Sequence, residues 1–418
     1  MTDNWLILAD DLTGAADCAI AFARRGVEAT VGWGDGRPPA SATTSVFSYD
    51  ADSRGMTAPR AAARHAEALE ALLGPDRRLF KKIDSTLRGQ PAAETAATVA
   101  HMKSRFGSAF GILAPAFPAT GRTTVDGRIR VAGRPLEEAE VWRADHTYGS
   151  SDLVGMLATA GVTAEAVGLA TVRAAGDALP AALRAVAAKA ATVAVCDAES
   201  DDDLRRVAAA IPTLPPGGFL IGSAGLAHAL AACLPCNAAV LPSYAGSGHG
   251  SLIVVGTRAA TSRAGARRLV DSGEVVHVPV EPGTLLAGPR ERAAVGRRVA
   301  SLLDAGQDVL VEIRTGDAPD PALGPSLVRG LAEALGPATS CIGALAATGG
   351  ETAAALLSAF GVDGIRLVDE IEPGVALGMT LGHLSVPVVT KAGAFGDEDS
   401  LGRIAARLRS IRRKGIQP

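Results

Sequence analysis

Cysteine is scarce in this chain, with 5 residues among 418, and the 7 histidines show no H-x-x-x-H or H-E-x-x-H spacing. So few thiols are typical of a protein kept in a reducing compartment. Cys233 and Cys236 have C-x-x-C spacing, but no second pair follows them, and we interpret them as ordinary residues at a helix end. The sequence therefore predicts no site in which protein side chains hold a metal.

The chain also lacks a strong excess of charge and a long apolar run. Lys and Arg number 41 against 44 Asp and Glu, which leaves a formal net charge of -3. Without a basic field, binding to nucleic acid is not expected. No stretch approaches the ~18 to 20 apolar residues of a membrane span, and the first apolar run, residues 5–9, is too short for a signal peptide. We expect a cytoplasmic protein with no membrane or nucleic-acid partner.

What the chain does contain is a repeated pattern of a short apolar run, a polar or glycine-rich loop and an Ala/Leu-rich segment of helical period. The apolar runs occupy residues 5–9, 79–83, 109–114, 192–196, 218–222, 252–255, 341–347, 365–368 and 386–390. Strands that alternate with helices predict parallel sheets covered on both faces, and the chain is long enough for two domains. We therefore predict an α/β fold of two domains, each a mostly parallel sheet flanked by helices.

The best candidate for a linker is residues 237–251, NAAVLPSYAGSGHGS, which are rich in Gly, Ser and Pro and have no period. Its glycines do not follow a strand, so they are not a nucleotide-binding fingerprint. A boundary there predicts one domain at residues 1–242 and a second at 243–418, with an active site in the cleft between them.

Four loops that follow apolar runs in the first domain carry more polar side chains than a turn requires. They are residues 10–14, 52–54, 82–89 and 116–123. Because ligands of open α/β sheets bind beyond the carboxyl ends of the strands, these loops predict a polar binding site. The alternative for any single loop is that its Asp or Ser only caps the following helix.

The side chains of these loops suit a small acid that also carries hydroxyl groups. Three cations could clamp a carboxylate, namely Lys82, Arg54 and Arg88. Three carboxylates could accept hydrogen bonds from hydroxyls, namely Asp10, Asp11 and Asp84, and the same loops contain Thr13 and Ser85. Either Asp84 or Asp11 could act as general base toward a substrate hydroxyl, and the sequence leaves both open.

The loops of the second domain are rich in glycine instead of charge. One joins an apolar run to a helix through Gly349, Gly350, Glu351 and Thr352, so backbone N–H groups and the positive helix end would face a phosphate. The last run leads directly into Lys391, which supplies a point charge, followed by Gly393 and Gly396. A third loop is residues 256–262. None is a P-loop or G-x-G-x-x-G element, but together with the acid-binding loops they predict a two-substrate phosphotransferase that closes across a cleft.

Eight segments, taken together and in order, resemble the four-carbon acid sugar kinase family. They are LADDLTGAAD (8–17), DSR (52–54), KKIDSTLRG (81–89), APAFPATGRTTVDG (114–127), GSAGLA (222–227), ATGGETA (347–353), EIEPGVALG (370–378) and VTKAGAFGDEDSL (389–401). The resemblance implies an N-terminal sugar-acid domain and a C-terminal nucleotide domain. It also implies ATP-dependent phosphorylation of a four-carbon acid such as 3-oxo-tetronate, threonate or erythronate.

The resemblance also implies roles for single residues. The substrate contacts of the family fall on Asp10, Asp11, Arg54, Lys82, Asp84 and Ser85, and among these we assign Asp84, Asp11 and Lys82 to catalysis. Its nucleotide contacts fall on residues 349–352 and on the turn at 393–396, and we add Gly256, Ala259 and Lys391. Where relatives usually carry Gly-Ser-Cys-Ser, this chain has Gly-Thr-Arg-Ala at 256–259, which removes a hydroxyl near the nucleotide. Mg²⁺ is expected to be held through the ATP phosphates and water.

We thus predict transfer of the ATP γ-phosphoryl group to a terminal hydroxyl of the acid, by charge neutralisation and in-line positioning. The main alternative is a non-catalytic sensor that binds both ligands, which the alanine at 259 favours. An NAD-linked oxidoreductase is a third hypothesis, but the fingerprint it needs is absent from the sequence. The partners expected are the sugar acid, ATP and, as a common default, a second copy in a homodimer. The sequence does not select the acid or its stereoisomer.

Overall fold

The computed structural model describes residues 4–34, 45–189, 192–237, 242–257, 259–314, 323–393 and 395–416. Within these residues the chain forms two compact units, the first ending at residue 237 and the second beginning at residue 242. Residues 238–241 of the predicted linker lie outside the described residues, as do Arg258 and Ala394 of the predicted phosphate loops. The domain boundary between 242 and 243 therefore stays a prediction.

A parallel sheet forms the centre of the first unit. The strands of this unit are β1 (Asn4–Ala9), β2 (Ala29–Gly32), β3 (Val46–Asp50), β4 (Arg77–Lys82), β5 (Phe110–Ala114), β6 (Arg122–Val125), β7 (Arg128–Val131), β8 (Arg134–Pro135), β9 (Ala164–Val167), β10 (Val193–Cys196) and β11 (Gly218–Gly222). Most of them pair in the order β2-β3-β1-β4-β11-β5-β10-β9, and β6, β7 and β8 form a small antiparallel sheet. Leu6, Ile7 and Leu8 are all fully buried, so both faces of β1 are covered.

Helices pack on this sheet. They are α1 (Leu12–Ala23), α2 (Ala58–Leu72), α3 (Pro91–Phe106), α4 (Glu140–Ala144), α5 (Leu153–Ala158), α6 (Leu169–Arg173), α7 (Ala178–Ala188), α8 (Asp201–Ala209) and α9 (Ala224–Ala232). Leu69 of α2 and Met102 of α3 share one apolar core with Leu6 and Leu8. The first helix ends before Gly26, whose φ of 73° suits a chain that turns out of a helix.

The second unit repeats the arrangement with one antiparallel element. Its strands are β12 (Ser251–Val255), β13 (Val276–Val280), β14 (Val309–Ile313), β15 (Ala344–Thr348), β16 (Val362–Glu372), β17 (Val375–Gly382) and β18 (Pro387–Lys391), and its helices are α10 (Ala260–Asp271), α11 (Pro282–Leu286), α12 (Pro289–Asp304), α13 (Gly324–Leu335), α14 (Gly350–Ala359) and α15 (Ser400–Lys414). The strand order is β13-β14-β12-β15-β18-β17-β16, and β17 runs antiparallel to both neighbours. The predicted fold class, α/β with mostly parallel sheets flanked by helices, is confirmed.

Two predicted strands differ in extent from those of the structure. The run at 365–368 is the middle of the 11-residue strand β16, which forms a hairpin with β17 instead of leading into a helix. Pro373 and Gly374 make the turn of this hairpin, where the glycine adopts a φ of 82°. The strand predicted to begin at 341 begins at Ala344, because residues 336–341 form a 3₁₀ helix.

Each unit has a point at which the strand order reverses. In the first unit the chain proceeds from β1 to β2 and β3 on one side of β1 and then crosses to β4 on the other side. In the second unit it proceeds from β12 to β13 and β14 on one side of β12 and then crosses to β15 on the other side. Ligands of open α/β sheets bind beyond the carboxyl ends of the strands at such a reversal. The loops after β1 and β4, and after β12 and β15, are therefore the places where sites are expected.

Buried Asp308 connects the end of α15 to the start of β12. Its Oδ1 accepts hydrogen bonds from Ser251 N at 2.8 Å and from Arg412 Nη2 at 3.1 Å, and its Oδ2 accepts one from Arg409 Nε at 2.8 Å.

We expect Asp308→Asn to lower the free energy of unfolding by about 3 kcal/mol, because it leaves a buried arginine without its counter-ion. Urea unfolding measures the effect. The exposed Asp304, paired with His249, is the control, and an equally large loss in Asp304→Asn contradicts the prediction.

Within the described ranges, no helix is both long enough and apolar enough to cross a membrane.

Candidate functional site

Three neighbouring strands of the first unit bring the polar loops together. Strand β1 pairs with β3 on one side and with β4 on the other. Asp10 follows β1 directly, Arg54 lies in the loop after β3, and Lys82 is the last residue of β4. The fourth predicted loop, residues 116–123, follows β5, which is separated from β4 by β11. It packs at the start of α9, where Ser223 Oγ donates to Ala116 O at 2.9 Å. Its Arg122 lies close enough to Asp84 and Arg88 for their charges to act on its pKa, which burial lowers.

Arg54 binds the two aspartates that follow β1. Its Nε and Nη2 donate to Asp10 Oδ2 and Oδ1 at 2.7 and 3.1 Å, and its Nη1 and Nη2 donate to Asp11 Oδ2 and Oδ1 at 2.9 and 2.8 Å. Its backbone N–H also donates to Asp10 O at 3.1 Å. These bonds use most of the N–H donors of a guanidinium group. Arg54 therefore holds the loop after β1 in place and has little capacity left for a ligand.

Lys82 lies beside the same aspartates over the first turn of α1. Its Nζ is 3.5 Å from Asp10 Oδ1 and 3.8 Å from Asp11 Oδ1, longer than an N–H···O hydrogen bond. A Cβ on Gly14 would collide with this Nζ, so the close approach requires glycine there. Burial opposes charge on the ammonium group, but the two aspartates outweigh it and raise the Lys82 pKa. At neutral pH the group is a buried cation whose N–H donors can turn to an anion.

The Asp11 carboxylate is also the N-cap of α1. It accepts hydrogen bonds from Gly14 N at 3.0 Å and from Thr13 Oγ1 at 2.7 Å. Capping, the alternative considered from the sequence, is thus part of its role. Burial raises its pKa, but the charges of Arg54 and Lys82 outweigh that effect and hold the pKa below the ordinary value.

Asp84 organises the turn after β4. It accepts hydrogen bonds from Thr86 N, Thr86 Oγ1 and Arg88 N, and Arg88 also binds it through Nε at 3.0 Å and Nη2 at 2.8 Å. Leu87 has a φ of 62° in this turn, and buried Ser85 lies within it. Burial opposes ionisation of Asp84, but Arg88 and Arg54 outweigh it and hold its pKa well below the usual range.

Sequence reasoning missed a buried acid at the edge of this site. Asp50, the last residue of β3, is 2% exposed and accepts a hydrogen bond from Asp52 N at 2.7 Å. Burial, with the nearby charge of Asp11, raises the Asp50 pKa well above its ordinary value. Asp50 lies two positions before the Asp52-Ser53-Arg54 motif in the sequence, and this closeness in sequence is the only signal that could have marked Asp50 as part of the site.

In the second unit the three glycine-rich loops follow adjacent parallel strands, β12, β15 and β18. These loops pack so closely that a side chain would not fit at two of their glycines. A Cβ on Gly256 would collide with the Thr352 side chain, and one on Gly393 would collide with Thr257 Oγ1. Gly349 has a φ of 91° and directly precedes α14. Gly350, Glu351 and Thr352 form the first turn of α14, whose backbone N–H groups have no partner inside the helix.

Lys391 ends β18 with a buried ammonium group, and its side chain is 1% exposed. Its Nζ donates to Ser262 Oγ at 3.0 Å and to Ala392 O at 3.2 Å, and Ser262 Oγ donates to Gly393 O at 2.8 Å. Burial lowers the Lys391 pKa to about 8, although Glu372 and Asp397 act to raise it. Ser262 was not singled out from the sequence, since a serine in the first turn of a helix is commonplace.

Two other predicted nucleotide contacts are explained by local packing. Ala259 has no hydroxyl group, but its N–H donates to Thr257 Oγ1 at 3.1 Å, and Thr257 lies against Gly349 and Gly393. Gly396 belongs to the turn before α15, with a φ of 77°, and a Cβ there would collide with Ser400 Oγ. The structure therefore places Thr257 among the phosphate-compatible loops and gives Gly396 a turn-forming role.

Comparison with known proteins gives a consistent result over nearly the whole chain. A family model described as a sugar-binding N-terminal domain matches residues 5–230, and one described as a nucleotide-binding C-terminal domain matches residues 252–401. A D-threonate kinase of Cupriavidus necator is 43% identical, covering 95% of this chain and 96% of that protein, and a D-threonate kinase of Bordetella bronchiseptica is 34% identical, covering 97% and 98%. A crystal structure from Salmonella typhimurium LT2 shares the fold, with a TM-score of 0.80 at 20% identity and coverage of 97% and 99%.

Proposed function

This chain belongs to the four-carbon acid sugar kinase family, and on that premise we propose that it transfers the γ-phosphoryl group of ATP to D-threonate. The family and the class of reaction predicted from the sequence are confirmed by the relatives, which are D-threonate, D-erythronate and 3-oxo-tetronate kinases. The choice of D-threonate rests on one observation, the 43% identity with a D-threonate kinase over 95% of the chain.

The acid would bind at the carboxyl ends of β1, β3 and β4. Lys82 and Arg88 are the cations best able to bind its carboxylate, because the N–H groups of Arg54 are largely engaged with Asp10 and Asp11. Arg88 uses only its Nε and one Nη2 donor on Asp84. The oxygens of Asp10 and Asp11 would accept hydrogen bonds from the hydroxyls of the acid.

Of the two candidate general bases, Asp11 is the better. Both carboxylates accept several hydrogen bonds that favour their ionised forms, but the Asp84 pKa lies well below the usual range. The Asp11 pKa is lowered less far, and burial opposes the shift at both carboxylates. A carboxylate can accept the hydroxyl proton as attack proceeds. Phosphoryl transfer through a loose transition state demands little of its base beyond correct placement.

ATP would bind at the carboxyl ends of β12, β15 and β18. The N-terminal turn of α14 offers backbone N–H groups to phosphate, and Lys391 adds a positive charge one strand away. The glycines at 256, 349 and 393 let these three loops pack against the side chains of Thr257 and Thr352, which would keep the backbones of the loops together around a ligand. Mg²⁺, bound mainly through the phosphates and water, would neutralise charge on the transferred group.

The identity of the acid is tested by comparing kcat/KM for D-threonate, D-erythronate and 3-oxo-tetronate in a coupled ADP assay with MgATP. We expect D-threonate to exceed the other two by about tenfold or more, since a site that binds a hydroxyl rejects analogues that misplace it. A higher value for D-erythronate or 3-oxo-tetronate would overturn the choice of acid and leave the family assignment intact.

The affinity for ATP should depend on pH through Lys391. Because burial lowers its pKa to about 8, the group is protonated below that pH and neutral above it. If the ammonium binds phosphate, KM for MgATP is constant near neutral pH and rises about tenfold per unit above pH 8. Initial rates across this range measure it, and Lys391→Arg, which keeps its charge, should remove the rise. A KM for MgATP that does not change between neutral pH and pH 9 contradicts this role.

Three further predictions from the sequence belong to this proposal. We propose that residues 1–242 and 243–418 are the functional domains, that the protein acts in the cytoplasm, and that it forms a homodimer. Expression of residues 1–242 alone, sedimentation of the purified chain and fractionation of the producing cells test them in turn.

A further inference from the structure

A fully buried polar network lies beneath the sugar-acid site. Lys81 Nζ is 2.8 Å from Glu94 Oε2, and Ser53 Oγ donates to Glu94 Oε1 at 2.7 Å. The fourth member, His65, lies with Nε2 at 3.0 Å from Ser53 Oγ. Each of these side chains is 0% or 1% exposed. Glu94 is in the first turn of α3, so the network joins four separate segments of the chain.

The network touches both loops that carry the site. Lys81 Nζ donates to the carbonyl oxygen of Lys82 at 2.6 Å, at the end of β4. On the other side, Ser53 N donates to Asp10 O at 3.1 Å, and Ser53 directly precedes Arg54 in the chain. Glu94 therefore connects, through one hydrogen bond on each side, the backbone that carries Lys82 to the backbone that carries Arg54.

The hydrogen bonds converge on an ionised Glu94. Burial opposes its ionisation, but the charge of Lys81 and the hydrogen bonds that Glu94 accepts outweigh it and hold the Glu94 pKa below the ordinary value. Burial, with the charge of Lys81, lowers the His65 pKa. A neutral His65 that donates from Nε2 to Ser53 Oγ, which in turn donates to Glu94, satisfies these contacts. Buried ion pairs contribute little net stability compared with apolar side chains of the same size. Stability alone therefore gives no reason for this pair.

We propose that Glu94 is a positioning residue for the sugar acid. Through Lys81 and Ser53 it fixes the spacing of the loops after β3 and β4, so that Lys82 and Arg54 reach Asp10 and Asp11 from opposite sides. The inference rests on the proposed function for its substrate. None of the four network residues is among those predicted to contact the acid. Lys81 and Ser53 are only the chain neighbours of two that are, Lys82 and Arg54.

Ser53→Ala is the most direct test, because it removes one link and leaves the Lys81–Glu94 pair. We expect KM for D-threonate to rise about tenfold, as for the loss of one hydrogen bond to a charged group, while kcat and KM for MgATP change less than about twofold. Thr98→Val is the matched control. Thr98 is buried on the same helix and donates only to Glu94 O, at 2.9 Å, so its loss should leave all three constants unchanged. Equal KM for D-threonate in Ser53→Ala and the wild type overturns the inference.

A second variant separates positioning from stability. Lys81→Met with Glu94→Met replaces the ion pair by apolar side chains of similar length and should keep the melting temperature near that of the wild type. KM for D-threonate should nevertheless rise by about tenfold or more. A double variant that melts normally and keeps the wild-type KM overturns the inference.

Failure of the proposed function would be recognised separately. If the wild type phosphorylates no four-carbon acid, the proposed function is wrong, and amide hydrogen exchange then decides the positioning role. Residues 50–54 and 82–89 should exchange faster in Ser53→Ala than in Thr98→Val. Identical exchange in both variants overturns the inference.

Discussion

Lys82→Met should lower kcat/KM for D-threonate about a thousandfold, because truncating one member of a buried charged cluster costs about 4 kcal/mol. The ammonium group is buried and lies 3.5 and 3.8 Å from Asp10 and Asp11. Its removal takes away the charge for the acid's carboxylate and leaves the two aspartates paired with Arg54. Methionine keeps the length of the side chain, so the loss reports on charge. Initial-rate kinetics with D-threonate varied at saturating MgATP measure it.

Lys391→Met is the reciprocal control for this experiment. Both lysines are buried and both end a parallel strand, but they belong to different units. Lys391→Met should raise KM for MgATP and leave KM for D-threonate within about twofold. Lys82→Met should raise KM for D-threonate and leave KM for MgATP within about twofold. Undiminished turnover in Lys82→Met removes that residue from the site. Equal effects of both variants on both substrates contradict the assignment of the acid and the nucleotide to separate units.

Asp11→Asn should lower kcat by about a thousandfold, within the range expected for loss of a general base. The substitution preserves the N-cap of α1, because the asparagine carbonyl can still accept from Gly14 N. It removes the charge paired with Arg54 and the carboxylate that we propose takes the hydroxyl proton. Single-turnover measurements of phosphoryl transfer separate this loss from weaker binding.

Asp152→Asn is the matched control for this substitution. Asp152 is the N-cap of α5 and accepts hydrogen bonds from Val154 N and Gly155 N, as Asp11 does at α1. Its replacement should leave kcat unchanged. If Asp84→Asn abolishes the chemical step while Asp11→Asn leaves it intact, the roles of the two carboxylates are reversed.

The sequence was sufficient to locate the loops in which we propose both sites. Each lies between an apolar run and a segment of helical period, and that pattern is local. Their convergence depends on strand order, which places β3, β1 and β4 side by side although they begin at residues 46, 4 and 77. No local pattern encodes that order. The assignment of Arg54 to the ligand's carboxylate remains a prediction, and its bonds to Asp10 and Asp11 favour a supporting role instead.

The buried contacts were beyond the reach of sequence reasoning for a different reason. An acid such as Glu94 in the first turn of a helix suits the helix dipole and needs no further explanation. Its partner Ser53 lies 41 positions earlier in the chain. The long hairpin of β16 and β17 was missed because its strands occur in a region read as alternating strands and helices. The turn residues Pro373 and Gly374 were the signal that could have revealed it.

Whether the protein is a kinase or a sensor that only binds both ligands is tested most directly by following D-threonate and MgATP together by ³¹P NMR. We predict that the γ-phosphate signal disappears as ADP and one new phosphate monoester of the acid appear in equal amounts. Binding of both ligands, with no ADP or ester formed above the level without protein, would contradict the proposed phosphoryl transfer.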